Sequence, residues 1–597
     1  MDIRSVSWRL LAFLFLAMAG YAARGADAPR EITDGEKALA IRFADLTQSL
    51  VRSGTPDENQ FRRVAALLAA ARQCDPEEPR YARLHADVLI QLHDADGAID
   101  ALGAVRRLRP EDRIAQIETI DMFLARMQTA DARLAYLQDL VVRDAVPREV
   151  RSHVALRIAA LQEEKSRHND AMEAIDLAIK LNPLNFTALQ IKFSLIWDAV
   201  TQNAAAPNPV PRVTMLVALV RANPARPDVL HLLGRHFAAA GMSNESLIWF
   251  THAVNVASQA RAGLTLEMMI DFATASFFCD RLDQAQQAFD QILKFNPADY
   301  PSLISRSMIE LRRDKPESAR DFRIQARNSL INQLNAVRNQ MGIQGATTRP
   351  IDQGEVFMPE IGSDTDAYRK QDKPRLKGAY LRAAVDLAWF QVFYNDQPDE
   401  AQRLMRHAES LMDAKEQAAV TDLPVIAGWV YLKQGKIDEA RVKFSAVADR
   451  EPMAALGLIK CYGPAEKDKA RTEAQKLVNA NPAGVQGAVI LDKLREFGVR
   501  AQPSENAPAM TAAKNTLPQN WMDVLDDKRT ASFYAIRGQP LRISSPFGEP
   551  LIAQVVIQNT SDVDLSVGPD GLIKPGVWFD AVVGGIFQQN IPAVAVE

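Results

Sequence analysis

The sequence predicts a mainly α-helical chain: a superhelix (solenoid) of stacked helix pairs, followed by a linker and a small, incomplete β-sandwich region. Three observations lead there. Small residues recur twelve positions apart, with a large apolar residue four positions after the second, a spacing that suits antiparallel helix pairs. Aromatic residues make up only 7% of the chain while alanine and leucine abound, and both are good helix formers. Near the C-terminus the apolar period changes to a two-residue alternation.

A chain of 597 residues is too long for one compact core, so it is either several domains or an elongated array in which each unit packs on its neighbours. With 70 basic and 74 acidic residues the signs nearly cancel. No basic stripe stands ready to displace counterions, so nucleic acid is not an expected partner. Cys74, Cys279 and Cys461 lie far apart without CxxC spacing, and an odd number excludes a complete set of intrachain disulfides. They read as small apolar residues of helices, and no zinc site is expected.

Residues 1–25 read as a signal peptide. Arg4 and Arg9 precede the apolar run Leu10 to Ala19, and small residues follow through Gly20, Ala22, Ala23 and Gly25. Cleavage after Gly25 fits best, with a cut after Ala22 second. The run is about half the ~20 residues that a membrane span needs. The expected location is the periplasm or outside the cell. If the segment is retained instead, it anchors the chain in the inner membrane, which is the only membrane association foreseen.

The helical array comes next. Gly234 pairs with Ser246 and Phe250, Ala273 with Ala285 and Phe289, and Gly428 with Ala440 and Phe444. Ala86, Ala98 and Leu102 fit the same spacing, as do Ala159, Ala171 and Ile175. The first small residue lets the two helices of a hairpin approach, the second does so from the partner helix, and the large residue fills the space beside them. Proline closes many units, at Pro110, Pro183, Pro297 and Pro452, because it cannot continue a helix. This pattern resembles the tetratricopeptide repeat family, whose period is ~34 residues, and suggests a bacterial exported member. Individual matches are degenerate: the fourth position, often tryptophan in the family, is Ala, Leu, Met or Pro here. The resemblance covers residues 35–336 and 378–498, with roughly ten helix pairs.

Two breaks interrupt the array. Residues 337–377 carry Gly342, Gly345, Pro350, Gly354, Pro359, Gly362 and Pro374 without a helical period, and read as an irregular insertion loop. Residues 499–520 contain Pro503, Pro508 and Pro518 among alanine, serine and asparagine, and read as an interdomain linker. Residues 521–597 then form a β-rich region. Its strand-like run Leu551 to Gln558 is followed by the turn Asn559 to Asp562 and by Val563, Leu565 and Val567 in alternation. This weakly resembles the opening half of a bacterial immunoglobulin-like sandwich. The chain stops at Val594 to Glu597 inside what reads as a strand, as a fragment of a longer protein would.

Motifs that carry chemistry are scarce in the chain. No GxSxG, HExxH, phosphate-binding or dinucleotide-binding pattern occurs, so no catalytic, cofactor-binding or metal-binding residues are assigned and an enzyme is not expected. His231 and His236 are five apart, which does not place two ligands on one helical face. The run His93 to Gly97 lacks the calcium-loop pattern, and its Asp and Gly residues suit a turn between helices.

In the tetratricopeptide repeat family the first helix of each pair lines a groove that holds peptides or protein segments. The resemblance places that lining at Arg80, Arg83 and Asp87; at His231 and Arg235; at Glu267, Ile270, Thr274 and Phe277; and at Val425, Trp429 and Leu432. The lysine and asparagine clamp by which some members grip a terminal carboxylate is missing. Trp429 is the expected anchor, since tryptophan buries much area at little entropic cost; packing against the next repeat is its other reading. The function expected is a non-catalytic scaffold or adaptor of the cell envelope that binds a protein or peptide. The alternative is part of a larger enzyme or a surface polysaccharide-binding protein, its active part in or beyond the β region.

Overall fold

The computed structural model describes residues 32–52, 57–201, 208–259, 264–340, 373–413, 417, 420, 422–518, 534–540, 553–560, 564–565, 573, 577–583 and 589–596. The signal segment and most of the expected insertion loop lie outside the described residues; the loop's two ends, 337–340 and 373–377, are helical. The chain divides into two compact units, Met1–Asn182 with Arg537–Val556, and Pro183–Ile536 with Ile557–Glu597.

Unit 1 stacks four antiparallel helix pairs: α1 (Asp34–Arg52) with α2 (Glu58–Cys74), α3 (Pro79–Gln91) with α4 (Ala95–Leu108), α5 (Arg113–Arg126) with α6 (Ala130–Val141), and α7 (Arg148–Glu164) with α8 (His168–Leu181). Unit 2 stacks seven. They are α9 (Phe186–Thr201) with α10 (Val210–Ala222), α11 (Pro227–Ala239) with α12 (Ser243–Gln259), α13 (Leu266–Phe278) with α14 (Leu282–Phe295), and α15 (Tyr300–Arg312) with α16 (Pro316–Gln340). The remainder are α17 (Lys373–Phe393) with α18 (Pro398–Ser410), α19 (Asp422–Lys433) with α20 (Ile437–Ser445), and α21 (Pro452–Lys460) with α22 (Lys467–Ala480); α23 (Gly484–Lys493) and α24 (Ala507–Lys514) follow and pack on earlier helices. Each unit is thus a tetratricopeptide-like helical repeat array, as the spacing predicts.

Local chemistry sets the boundaries. Asp57, Asp94, Asp112, Thr129, Thr265 and Asp299 each accept, at a helix start, a backbone N–H three residues on. Within most pairs the chain reverses through one left-handed residue: His93, Ser166, Gly241, Asp280, Asp314, Asp396 and Gly435, with φ between 54° and 76°. The following N–H then reaches back five residues, as from Asp94 to Leu89, Met242 to Phe237, Arg281 to Ser276 and Lys436 to Tyr431. These bonds satisfy carbonyls at the helix end that have no partner within the helix.

Packing follows the small residues. A Cβ on Gly234 would lie 2.6 Å from the Phe250 ring, and one on Gly428 2.5 Å from Phe444. Gly457 of the next first helix would meet the same Phe444 ring at 2.2 Å. One aromatic therefore fills the notch made by two glycines on successive first helices. Ala86, Ala98, Ala273, Ala285 and Ala440 are fully buried at the same repeat positions.

The pairs are also tied at their edges. A basic residue closing one first helix reaches an acid in or beside the turn of the preceding pair: Arg126 to Asp96 at 2.9 Å, Lys165 to Asp131, Arg312 to Asp280 at 2.8 Å and Lys433 to Asp396 at 2.9 Å. Partly exposed pairs of this kind contribute only about 0–1 kcal/mol each, so they fix register more than stability.

The stretch read as a linker is partly helical and packed. Residues 507–514 form α24, whose Ala507 and Met510 are buried, because apolar side chains there find the face of α10. Helix α17 begins at Lys373, before the expected resumption of helix at Gly378. In the C-terminal region, β1 (Tyr534–Pro540) pairs with β2 (Ala553–Asn559), and β3 (Val577–Val583) pairs antiparallel with β4 (Gln589–Val596). Among the described residues these are two separate two-stranded sheets, and no sandwich is formed by them.

Replacing Gly428 by alanine forces Phe444 out of its notch, and overpacking of this kind costs about 1–3 kcal/mol. A lowered urea midpoint is expected for Gly428→Ala, with partial recovery when Phe444→Leu is added; an unchanged midpoint would show that the notch is not filled as described.

Candidate functional site

The first helices of unit 1 share a row of charged side chains. Arg83 on α3 pairs with Asp87 one turn on, at 3.3 Å, and with Glu118 on α5, at 2.6 Å. Asp121, one turn further along α5, takes Arg157 of α7 at 2.7 Å and His153 at 3.2 Å. These side chains are between a quarter and a half exposed. Burial pulls the Arg83 guanidinium down, but its bond to Glu118 and the charges of Asp87 and Glu118 outweigh it, and the pKa ends raised. Burial likewise pushes Asp121 up, and the bonds from His153 and Arg157 reverse the effect, holding the carboxyl below its usual range. Arg80 lies at the edge of this row with its guanidinium 5.1 Å from the Tyr81 ring centre.

Unit 2 repeats the arrangement on α11 and α13. His231 Nε2 lies 2.9 Å from Asp271, and Arg235 bridges to Glu267 at 2.5 Å and to Asp271 at 3.8 Å. Beside them is a cleft of about 260 Å³ with Ala238, Phe250 and Ala275 at its base, Arg235 and Asp271 at its side, and Pro482 to Gly484 across one edge. Thr274 lines this cleft, but it is buried and its hydroxyl donates to the carbonyls of Ile270 and Asp271.

Besides Thr274 and His231, which are buried polar residues, three apolar residues of the predicted lining are held inside the protein. Phe277 is 1% exposed, with the Arg312 guanidinium 3.7 Å above its ring. Val425 is buried on α19. Trp429, the expected anchor, is 5% exposed: its ring stands edge-on to Phe393 at 4.8 Å and to Phe444 at 5.6 Å, and its Nε1 donates to the Met453 carbonyl. It joins α17, α19, α20 and α21, and cannot meet a partner without loosening them. Ile270 and Leu432 are half-buried.

The structure therefore brings Arg83 and Asp87 together, and separately His231, Arg235 and Glu267. It adds Glu118, Asp121, His153, Arg157 and Asp271, which sequence reasoning missed. A signal for most of them was present, since opposite charges on the first helices are separated by roughly one repeat period. Among the described residues no group of histidine, cysteine and carboxylate side chains is arranged to hold a metal ion.

This geometry defines a class, an α-helical repeat protein whose first-helix faces carry mixed charge. Residues 83–150, which contain most of the unit 1 row, match the tetratricopeptide repeat family model. Comparison with curated proteins gives no match. Among solved structures the chain is similar to a tetratricopeptide repeat protein from Parabacteroides merdae, at 14% identity over 58% of this chain and 98% of that one, with a TM-score of 0.26. It is also similar to yeast Tom70, at 11% identity over 83% of this chain and 100% of that one, TM-score 0.26. A third is YrrB, described as a repeat protein with an unusual peptide-binding site, at 14% identity over 34% and 97%, TM-score 0.25.

Next to the unit 2 charges, His236 has its pKa pushed down to about 4, first by burial and then by Arg212 and Arg235. A depressed histidine leaves the unfolded chain binding more protons between its ordinary value of 6.5 and about 4. Stability is therefore complete above that window and falls as the pH drops through it, by at most about 3 kcal/mol from this group. His236→Gln is expected to lose less stability than the parent between pH 7 and pH 4.5 in urea titrations; parallel losses would remove His236 from the account.

Proposed function

We propose that this protein is a non-catalytic interaction scaffold of the cell envelope, binding a protein or peptide segment along the first helices of unit 1. The observation that carries the reading is the row Arg83, Asp87, Glu118, Asp121, His153 and Arg157, laid across the first helices of three successive pairs. Each member is satisfied by a neighbour, yet pairs so exposed are worth little in water. A partner segment with charges of its own can take over one rung after another at small cost, and register along the row supplies specificity. The residue types favour an extended segment of alternating charge over an apolar helix.

Export belongs to the same reading. The basic, apolar and small-residue order of residues 1–25 supports delivery to the periplasm or beyond, with membrane anchoring only if that segment is kept. N-terminal sequencing of the protein from a cell fraction should begin at Ala26. Recovery of the uncut chain in the inner membrane would establish the anchored alternative.

The binding test is capture from cell-envelope extract by the full chain. Arg83→Glu and Arg157→Glu should each weaken capture of a specific protein by about tenfold, equivalent to ~1.4 kcal/mol. Combining Arg83→Glu with Glu118→Arg should restore the fold's internal pair without restoring recognition. Capture indifferent to both single substitutions, in variants that melt like the parent, would rule out this surface.

A further inference from the structure

Unit 2 closes on itself through residues far apart in sequence. Helix α23 packs on α13 and α15, where Arg312 reaches Asp492 at 3.3 Å. Beyond α23, Gly498 turns the chain through φ 67°, and residues 499–517 run back over the turn between α11 and α12 before α24 settles on α10. The Ser504 N–H donates to the Ala240 carbonyl at 2.9 Å, and Lys514 pairs with Glu245 at 2.8 Å.

From these contacts we infer that residues 502–517 form a detachable strap, and that α24 occupies the apolar face of α10 as an intramolecular ligand. This inference does not depend on the reading of the unit 1 row. Two observations carry it. Past Val499, which belongs to the core, the strap is held by few side chains: Ala507, Met510 and Leu517 are buried, whereas α10 beneath it buries seven of thirteen. A cleft of about 780 Å³ also separates part of the strap from the helix turns below, bordered by Met242, Asp280, Val499 and Pro503. A segment held by three side chains beside such a cleft can open locally while the core beneath it stays closed.

The second observation is the seat itself. The left-handed position of the hairpin turn is His93, Ser166, Asp280, Asp314 and Asp396 in five other pairs, so a side chain is compatible with that backbone. At Gly241 a Cβ would lie 2.5 Å from the Gln502 carbonyl oxygen. Glycine is required there by the strap crossing above it, not by the turn. Gly435, the equivalent residue between α19 and α20, has nothing within 4 Å of its Cβ position. The strap therefore leaves its mark at one turn of the array, and what it covers is a docking face for a short apolar helix bearing one lysine.

The test uses the full chain with Gly241→Asn, since asparagine tolerates the left-handed turn while its Cβ displaces the strap. Gly435→Asn is the control at the open turn. In hydrogen exchange, amides of residues 504–517 should exchange at least tenfold faster in Gly241→Asn while those of α13 and α14 stay protected, and Gly435→Asn should match the parent. A labelled peptide of residues 503–518, added in trans, should bind Gly241→Asn and not the parent. Unchanged protection of the strap in Gly241→Asn would overturn the proposal. So would loss of protection throughout unit 2 together with the strap, because the segment would then be part of the core. Failure of the peptide to bind a chain whose strap is released would overturn the assignment of α10 as a docking face.

Discussion

The whole arrangement depends on how closely two helices of a pair can approach. Gly234 against Phe250, and Gly428 with Gly457 around Phe444, show the constraint directly: an aromatic ring occupies space that one methyl group would fill. Only small residues permit that approach, and the ring restores the density lost to them. Since a single pair cannot bury its apolar stripe alone, the contact must recur, and stacking follows from the recurrence. The turn conformation recurs with it, because each closely packed hairpin reverses through a similar left-handed residue.

Charged residues in this framework serve stacking first. Arg126 with Asp96, Arg312 with Asp280 and Lys433 with Asp396 tie consecutive pairs at their edges. The row on the first helices of unit 1 uses the same chemistry in a place where a partner has access. Geometry separates the two sets, since edge pairs link turns while the row proposed for binding lies along partly exposed helix faces. Aromatic residues show the opposite division. Trp429 sits where the family resemblance puts a groove residue, and the structure spends it on joining four helices. A large ring near the first-helix face serves as core once a neighbouring helix supplies Phe393 and Phe444 to pack against it.

Unit 2 departs from an open array because its end returns to earlier helices. Contacts such as Arg312 with Asp492 and Lys514 with Glu245 span much of the unit in sequence. An open stack is held only by nearest neighbours, so its curvature can vary; a closed one resists such change until the closing segment lets go. Gly241 shows how local sequence is adjusted to a contact made by residues more than two hundred positions away.

The helix pairs, their approximate number and the positions of their close contacts were legible in the sequence, because spacing of small and large residues along a helix is a local property. Ala86 with Ala98, Gly234 with Phe250 and Gly428 with Phe444 could all be named without a structure. Charge pairing across pairs was half legible: the opposite signs lay one period apart, but Glu118, Asp121 and Asp271 gain their meaning only when helices stack. The fate of Trp429 and Phe277, and the return of residues 499–517 across Gly241, were decided by tertiary structure alone. Helical period tells which face of a segment is apolar; it does not tell which distant segment will cover it. That choice depends on curvature summed over many small packing angles, which no single stretch of sequence contains.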